Sequence, residues 1–156
     1  MSQDYITFTI KEQKNIALIA HDNEKAKLIK WCNDHYDILK NHILCGTGTT
    51  SRMIAEQTGL TIRGYNSGPL GGDQQIGAKI VEGSIDFIVF FSDPLTAQPH
   101  DPDVRALMRI AQVYDIPMAI NKATADFLIT SLYMDKPYEH QVINFQKNIQ
   151  ERAKRL

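Results

Sequence analysis

Cysteine is nearly absent from this 156-residue chain, and the two present, Cys32 and Cys45, form no CxxC pair. A disulfide framework is therefore not expected, and both thiols read as reduced core or near-surface groups. An excess of charge is missing too: 17 Lys and Arg face 18 Asp and Glu, a net charge of −1. That balance gives no bulk attraction to nucleic acid or to an anionic membrane. No apolar run approaches the roughly 20 residues that span a bilayer. Met1 to Tyr5 carries no basic segment ahead of an apolar one, so no signal peptide is expected and a cytoplasmic protein is. The five histidines include no HxH or HxxxH pair, which argues against a metal site, the rival reading of the histidines and aspartates. No P-loop and no GxGxxG is found, so a plain nucleotide site is not expected either.

What remains is an ordinary globular composition, 43% hydrophobic and 22% charged, with no linker, repeat or compositional break. A single domain over residues 1–156 follows, long enough to bury a full core. Apolar runs alternate with amphipathic ones. Asn15–Ala20, His42–Cys45, Leu60–Tyr65, Ile85–Phe91 and Pro117–Asn121 read as strands. Helices are expected over Glu24–Tyr36, Ser51–Thr58 (stopping at Gly59), Gln75–Glu82, Asp103–Tyr114 with Asp103 as N-cap, and Ala123–Ile129. The last twenty residues read as a helix with a basic end. Strands alternating with helices predict an α/β fold of three layers, a parallel five-stranded sheet flanked by helices. Sites in such sheets form outside the carboxyl ends of the strands.

The loops that would converge there are polar. Gly46-Thr-Gly-Thr-Thr50 offers small residues, hydroxyls and the amides of the next helix, which suit a phosphate. It reads equally as a plain turn with Thr49 or Thr50 as N-cap. Ser67-Gly-Pro-Leu-Gly-Gly-Asp-Gln-Gln75 could add a hydroxyl and amides to the same anion, and Lys25 a point charge. Within that second loop Asp73 stands out: a carboxylate is unfavourable beside an anion unless it must take a proton from a bound phosphorylated substrate. His21-Asp22 follows the first strand. The long loop after the fourth strand runs from Ser92 to Pro102, with Asp93 near its start and His100-Asp-Pro-Asp103 at its end. Capping and turn hydrogen bonds are the alternative reading for Asp22, Asp93 and Asp103, and a satisfied loop histidine for His100.

Together these segments resemble the methylglyoxal synthase family over nearly the whole chain. The resemblance is carried by Ala20-His-Asp22, Gly46–Thr50, Ser67–Gln75, Phe91-Ser-Asp-Pro-Leu95, Pro99-His-Asp-Pro-Asp-Val104 and Asn121–Asp126. It implies a carbon–oxygen lyase that converts dihydroxyacetone phosphate to methylglyoxal and inorganic phosphate with no metal or organic cofactor. It also implies a homohexamer. Because the Thr-rich and Ser-Gly loops are read as binding a phosphate dianion, inorganic phosphate is expected to inhibit as well as to be a product. Asp73 falls on the family's catalytic base, and His100 and Asp103 on supporting polar groups. Lys25, Thr47, Thr49, Thr50, Ser67 and Gly68 fall on phosphate-binding positions, and His21, Asp22 and Gly48 join them as substrate-binding candidates. Arg152 aligns with an arginine that reaches a neighbouring subunit's site, with Arg155 also available. A non-catalytic regulatory module that binds a phosphorylated effector is the alternative that shares these phosphate loops.

Overall fold

The computed structural model describes residues 4–156. In chain order the elements are β1 (Tyr5–Ile10), β2 (Asn15–Ala20), α1 (Lys25–Asp34), α2 (Tyr36–Leu39), β3 (Ile43–Thr47), α3 (Gly48–Thr58), β4 (Ile62–Tyr65) and α4 (Gly72–Val81). They continue with β5 (Phe87–Phe91), α5 (Asp101–Val113), β6 (Met118–Ala119), α6 (Lys122–Ile129), β7 (Tyr138–Ile143) and α7 (Phe145–Ala153). Short 3₁₀ turns at Asp22–Glu24 and Gly68–Leu70 precede α1 and α4.

The expected five-stranded sheet is present, all parallel, in the order β4-β3-β2-β5-β6. Alternation along the strands divides the core in two. Ile16, Leu18 and Ala20 of β2, with Phe87, Val89 and Phe91 of β5, meet residues of α1, α3 and α6 on one face. Ala17 and Ile19, with Ile88 and Phe90, meet Ile76 and Ile80 of α4 and Leu107 and Ala111 of α5 on the other. Strands buried on both faces read as continuous apolar runs, which is why these two were legible in sequence. Each large aliphatic side chain withdrawn from water contributes about 1.5–3 kcal/mol. The one tryptophan, Trp31, is buried in α1 and donates its indole N–H to Asp126 Oδ1 of α6 at 2.9 Å, so no polar group is stranded there.

Several boundaries differ from expectation. A second sheet, an antiparallel ribbon of β1 and β7, was not expected. Residues 138–143, assigned in sequence to a final helix, form β7, and only 145–153 are helical. The first helix is interrupted at His35. Helices α3 and α4 each begin three residues earlier than expected, because Gly48 and Gly72, which read as loop, already take helical positions. The N-cap of α3 is Thr47, not Thr49 or Thr50, and its side chain makes no capping bond. Asp103 is not an N-cap: α5 starts at Asp101 with His100 as N-cap, placing Asp103 in the first turn. Strand β6 is only two residues long.

Candidate active site

Chain order along the sheet reverses between β2 and β5: β3 and β4 follow on one side of β2, β5 and β6 on the other. Loops leaving the carboxyl ends of such neighbours part in opposite directions and leave a crevice. A cavity of about 240 Å³ lies there. His21, Asp22, Lys25, Thr47, Thr49, Thr50, Ser67, Gly68, Asp73 and His100 line it, so ten of the expected site residues come together from four loops. Gly48 lies between two of them, its N–H donating to the Asn66 carbonyl at 3.2 Å and tying the Thr-rich turn to the Ser-Gly loop. Asp103 and Arg152 do not line the cavity. Asp103 accepts a hydrogen bond from Gln74 Nε2 at 3.2 Å, and Arg152 lies exposed in the last turn of α7.

Two helix N-termini face this crevice. Neither α3 nor α4 has a side-chain cap, and first-turn N–H groups have no partner within their own helix. With the hydroxyls of Thr47, Thr49, Thr50 and Ser67 they make a dense set of donors for an anion. Close backbone approach makes this possible. A Cβ on Gly72 would overlap the carbonyl oxygen of Asn66, so only glycine lets α4 start against the end of β4. Gln75 Oε1 accepts from the Asn66 N–H at 2.8 Å and pins the same turn.

That packing drives Asp73, in the first turn of α4, out of solvent: it is 2% exposed. Neither of its carboxylate oxygens receives a hydrogen bond from the protein among the described residues. His100 Nε2 lies 3.5 Å from Oδ2, too long for a good hydrogen bond. Burial pushes the Asp73 carboxyl above the ordinary carboxylate range; the His100 ring opposes that shift and the Asp103 charge reinforces it. A buried carboxylate without hydrogen bonds is costly at rest and has gained basicity for that reason.

His21 is fixed differently. Its Nδ1 accepts the Asp93 backbone N–H at 2.9 Å, so the neutral ring carries its proton on Nε2. Nε2 has no protein partner. The ring stands edge-on to Phe90 and to His100, with centroids 5.1 and 5.2 Å away. Burial lowers its pKa, and His100 lowers it further, so it serves as a neutral donor near pH 7. The Asp93 side chain accepts from the N–H groups of Leu95 and Thr96 and from Asn23 Nδ2, which holds the loop that supplies this contact. His100 Nδ1 is likewise without a protein partner.

Asp22 pairs with Lys25 and makes no hydrogen bond to His100. Its side chain is largely exposed, and Oδ1 lies 2.6 Å from Lys25 Nζ, which holds its carboxyl below the usual range. It thereby orients Lys25 into the crevice. The thiols take no part: burial pushes Cys32 up to about 12 and Cys45 up to about 11. Among the described residues no group of three or more His, Cys, Asp or Glu is arranged to hold a metal ion, and no helix is long and apolar enough to cross a membrane. Sequence reasoning passed over Gln98, which also lines the cavity; its place two residues ahead of His100 was the available signal.

Comparison with known proteins gives one consistent answer. A family model described as an MGS-like domain matches residues 27–120. The chain is similar to the methylglyoxal synthase of Clostridium acetobutylicum, with 56% identity over 91% of this chain and 98% of that one. It is also similar to that of Leptospira interrogans (53%, covering 88% and 93%) and that of Erwinia tasmaniensis (49%, covering 97% and 99%). Among solved structures, the methylglyoxal synthase of Elizabethkingia anophelis NUHP1 superposes with a TM-score of 0.88 at 42% identity, over 93% of this chain and 95% of that one.

Proposed function

The chain belongs to the MGS-like domain family, and from that premise we propose that its cleft converts dihydroxyacetone phosphate to methylglyoxal and inorganic phosphate. The observation that carries the reading is Asp73, a buried carboxylate with raised basicity in the first turn of α4, lining the same cavity as the first turn of α3. A site that only bound a phosphorylated effector would gain nothing from an unpaired carboxylate there, so the regulatory-module alternative is the weaker one.

In this mechanism Asp73 takes a proton from the substrate's hydroxymethyl carbon, next to the ketone. The electron pair becomes the carbon–carbon double bond of an enediolate, and the former ketone oxygen carries the charge. His21 Nε2–H and the His100 ring supply donors for it. The phosphate-bearing carbon is now allylic. If its carbon–oxygen bond stands perpendicular to the enediolate plane, the hydroxyl on the deprotonated carbon gives up its proton and becomes the aldehyde carbonyl, and the carbon–carbon pair shifts toward the phosphate-bearing carbon. Phosphate leaves with the carbon–oxygen pair and takes back the proton that Asp73 removed. The former ketone oxygen takes up the hydroxyl's proton, which leaves the enol of methylglyoxal, and this then tautomerises. The Thr-rich and Ser-Gly loops, with Lys25, hold that torsion and accept the departing dianion. An isomerase using the same intermediate must hold the bond in the plane instead. The test is release of inorganic phosphate from dihydroxyacetone phosphate with trapping of the dicarbonyl; binding without turnover would overturn the reading.

If these loops bind phosphate, inorganic phosphate competes with substrate. Thr49→Ala and Ser67→Ala should each raise KM and weaken phosphate inhibition together, by roughly tenfold to a hundredfold for one charge-assisted hydrogen bond. Unchanged inhibition constants in both variants would remove the loops from the site. Asp103 supports rather than abstracts in this scheme, through its charge near Asp73 and its bond to Gln74. We further propose a cytoplasmic homohexamer in which Arg152, or Arg155, reaches the neighbouring protomer's cleft. A solution mass of one protomer, read by light scattering, would contradict it.

A further inference from the structure

One polar side chain in the cleft has no part in the mechanism above. Gln98 lines the cavity with Asp73, His21 and His100 and is half-buried. Its backbone is held from both sides by one residue: its N–H donates to Asp101 Oδ2 at 3.2 Å, and its carbonyl accepts the Asp101 N–H at 3.2 Å. This clamps Gln98 to the first turn of α5, whose N-cap is His100. Its carboxamide is held far more loosely. Nε2 reaches only the Thr96 carbonyl, at 3.4 Å, and Oε1 accepts no hydrogen bond from the described residues.

The substrate brings a hydroxyl on the very carbon that loses its proton, and that hydroxyl needs an acceptor. Asp22 Oδ1 already accepts from Lys25, and the side chain is turned largely to solvent. Asp73 must stay free for the carbon-bound proton, and the Thr and Ser hydroxyls belong to the phosphate end. Gln98 is the one carboxamide lining the cleft. It can accept without bringing a second negative charge toward Asp73. We infer that Gln98 Oε1 accepts a hydrogen bond from the hydroxyl of the substrate's hydroxymethyl group, making Gln98 a specificity residue for phosphorylated hydroxymethyl ketones. The inference rests on the proposed reaction. Its physical consequence is orientation: anchoring the hydroxyl fixes rotation about the carbonyl–hydroxymethyl bond and so selects which carbon-bound hydrogen points at Asp73.

The experiment compares three ligands on the wild type, Gln98→Ala and Gln98→Met. They are dihydroxyacetone phosphate as substrate, and hydroxyacetone phosphate (the same ketone and ester without the hydroxyl) and inorganic phosphate as inhibitors. Both variants should lose about tenfold in kcat/KM for the substrate, the scale of one neutral hydrogen bond. Inhibition by hydroxyacetone phosphate and by inorganic phosphate should stay at wild-type strength. Gln98→Met keeps the length of the side chain, so agreement between the variants separates the lost acceptor from a collapsed loop. An equal loss for all three ligands, or no loss for the substrate, would overturn the inference. Failure of the unaltered protein to release phosphate from dihydroxyacetone phosphate would instead overturn the reaction itself, and this inference with it.

Discussion

Asp73→Asn is expected to lower kcat by at least about 10²–10⁴-fold, the usual contribution of a positioned general base, with substrate affinity largely kept. The amide has the shape of the carboxylate and can accept no proton from carbon, so the loss falls on a group that acts in the transition state and not on binding. Exchange of the substrate's hydroxymethyl hydrogen with solvent deuterium should stop as well, because exchange needs only the first step. Asp103→Asn should slow turnover yet leave exchange detectable. Near wild-type exchange in the Asp73 variant would put the base elsewhere. Because burial raises the Asp73 pKa, the acid limb of kcat/KM should lie above the range of an ordinary carboxylate, and it should vanish from the residual activity of Asp73→Asn.

The same burial fixes the sign of a stability effect. Asp73 holds its proton to higher pH in the folded chain than in the unfolded one. Between its unfolded and folded pKa values the folded state binds more protons, so its contribution to stability falls as pH rises through that window. Above the folded pKa the cost of keeping an unpaired buried charge is fully present; below the unfolded pKa it is gone. Asp73→Asn should therefore have a higher urea midpoint than wild type at neutral pH, a gain that shrinks toward acid pH. An inactive but more stable variant is the expected pattern where a site keeps a strained group for chemistry.

Strands β2 and β5 could be read from sequence because burial on both faces leaves no polar position to blur them: every residue of Phe87–Phe91 is buried. The β1–β7 ribbon could not. Five of the six residues of β1 are exposed, and Tyr138–Ile143 has a single fully buried position, so no face declares itself until the two segments pair. Helix starts at Gly48 and Gly72 were hidden because glycine is a poor helix former that here is required by close contact. For the site, residue types and loop positions were legible, whereas their states were not. That Asp73 has no hydrogen bond depends on three loops packing around it. That His21 carries its proton on Nε2 depends on an N–H seventy-two residues away. Asp22 and Lys25 both line the cleft, and that they pair with each other at 2.6 Å is not declared by their three-residue spacing.

Gly68→Ala should cost about 10²-fold in kcat, the scale of a catalytic group displaced by roughly 1 Å, although it removes no functional atom. A Cβ at position 68 would sit 2.8 Å from His100 Nε2 and 3.1 Å from Cδ2. The ring has little room to retreat, since His100 is 8% exposed and its other side meets His21. It can relieve the clash only by swinging, and that carries Nε2 from its place 3.5 Å from Asp73. The backbone of residue 68 itself is not strained by alanine, because its φ lies outside the left-handed region that Gly71 occupies. The backbone amide proposed to bind the phosphate therefore stays. Two readouts follow from this argument. Inhibition by inorganic phosphate should change far less than kcat, in contrast to Ser67→Ala one residue earlier. Adding Gly68→Ala to His100→Ala should also cost little, because the ring that the methyl group displaces is already gone. If the two losses instead multiplied, Gly68 would act on the phosphate and not through His100, and the steric argument would fail.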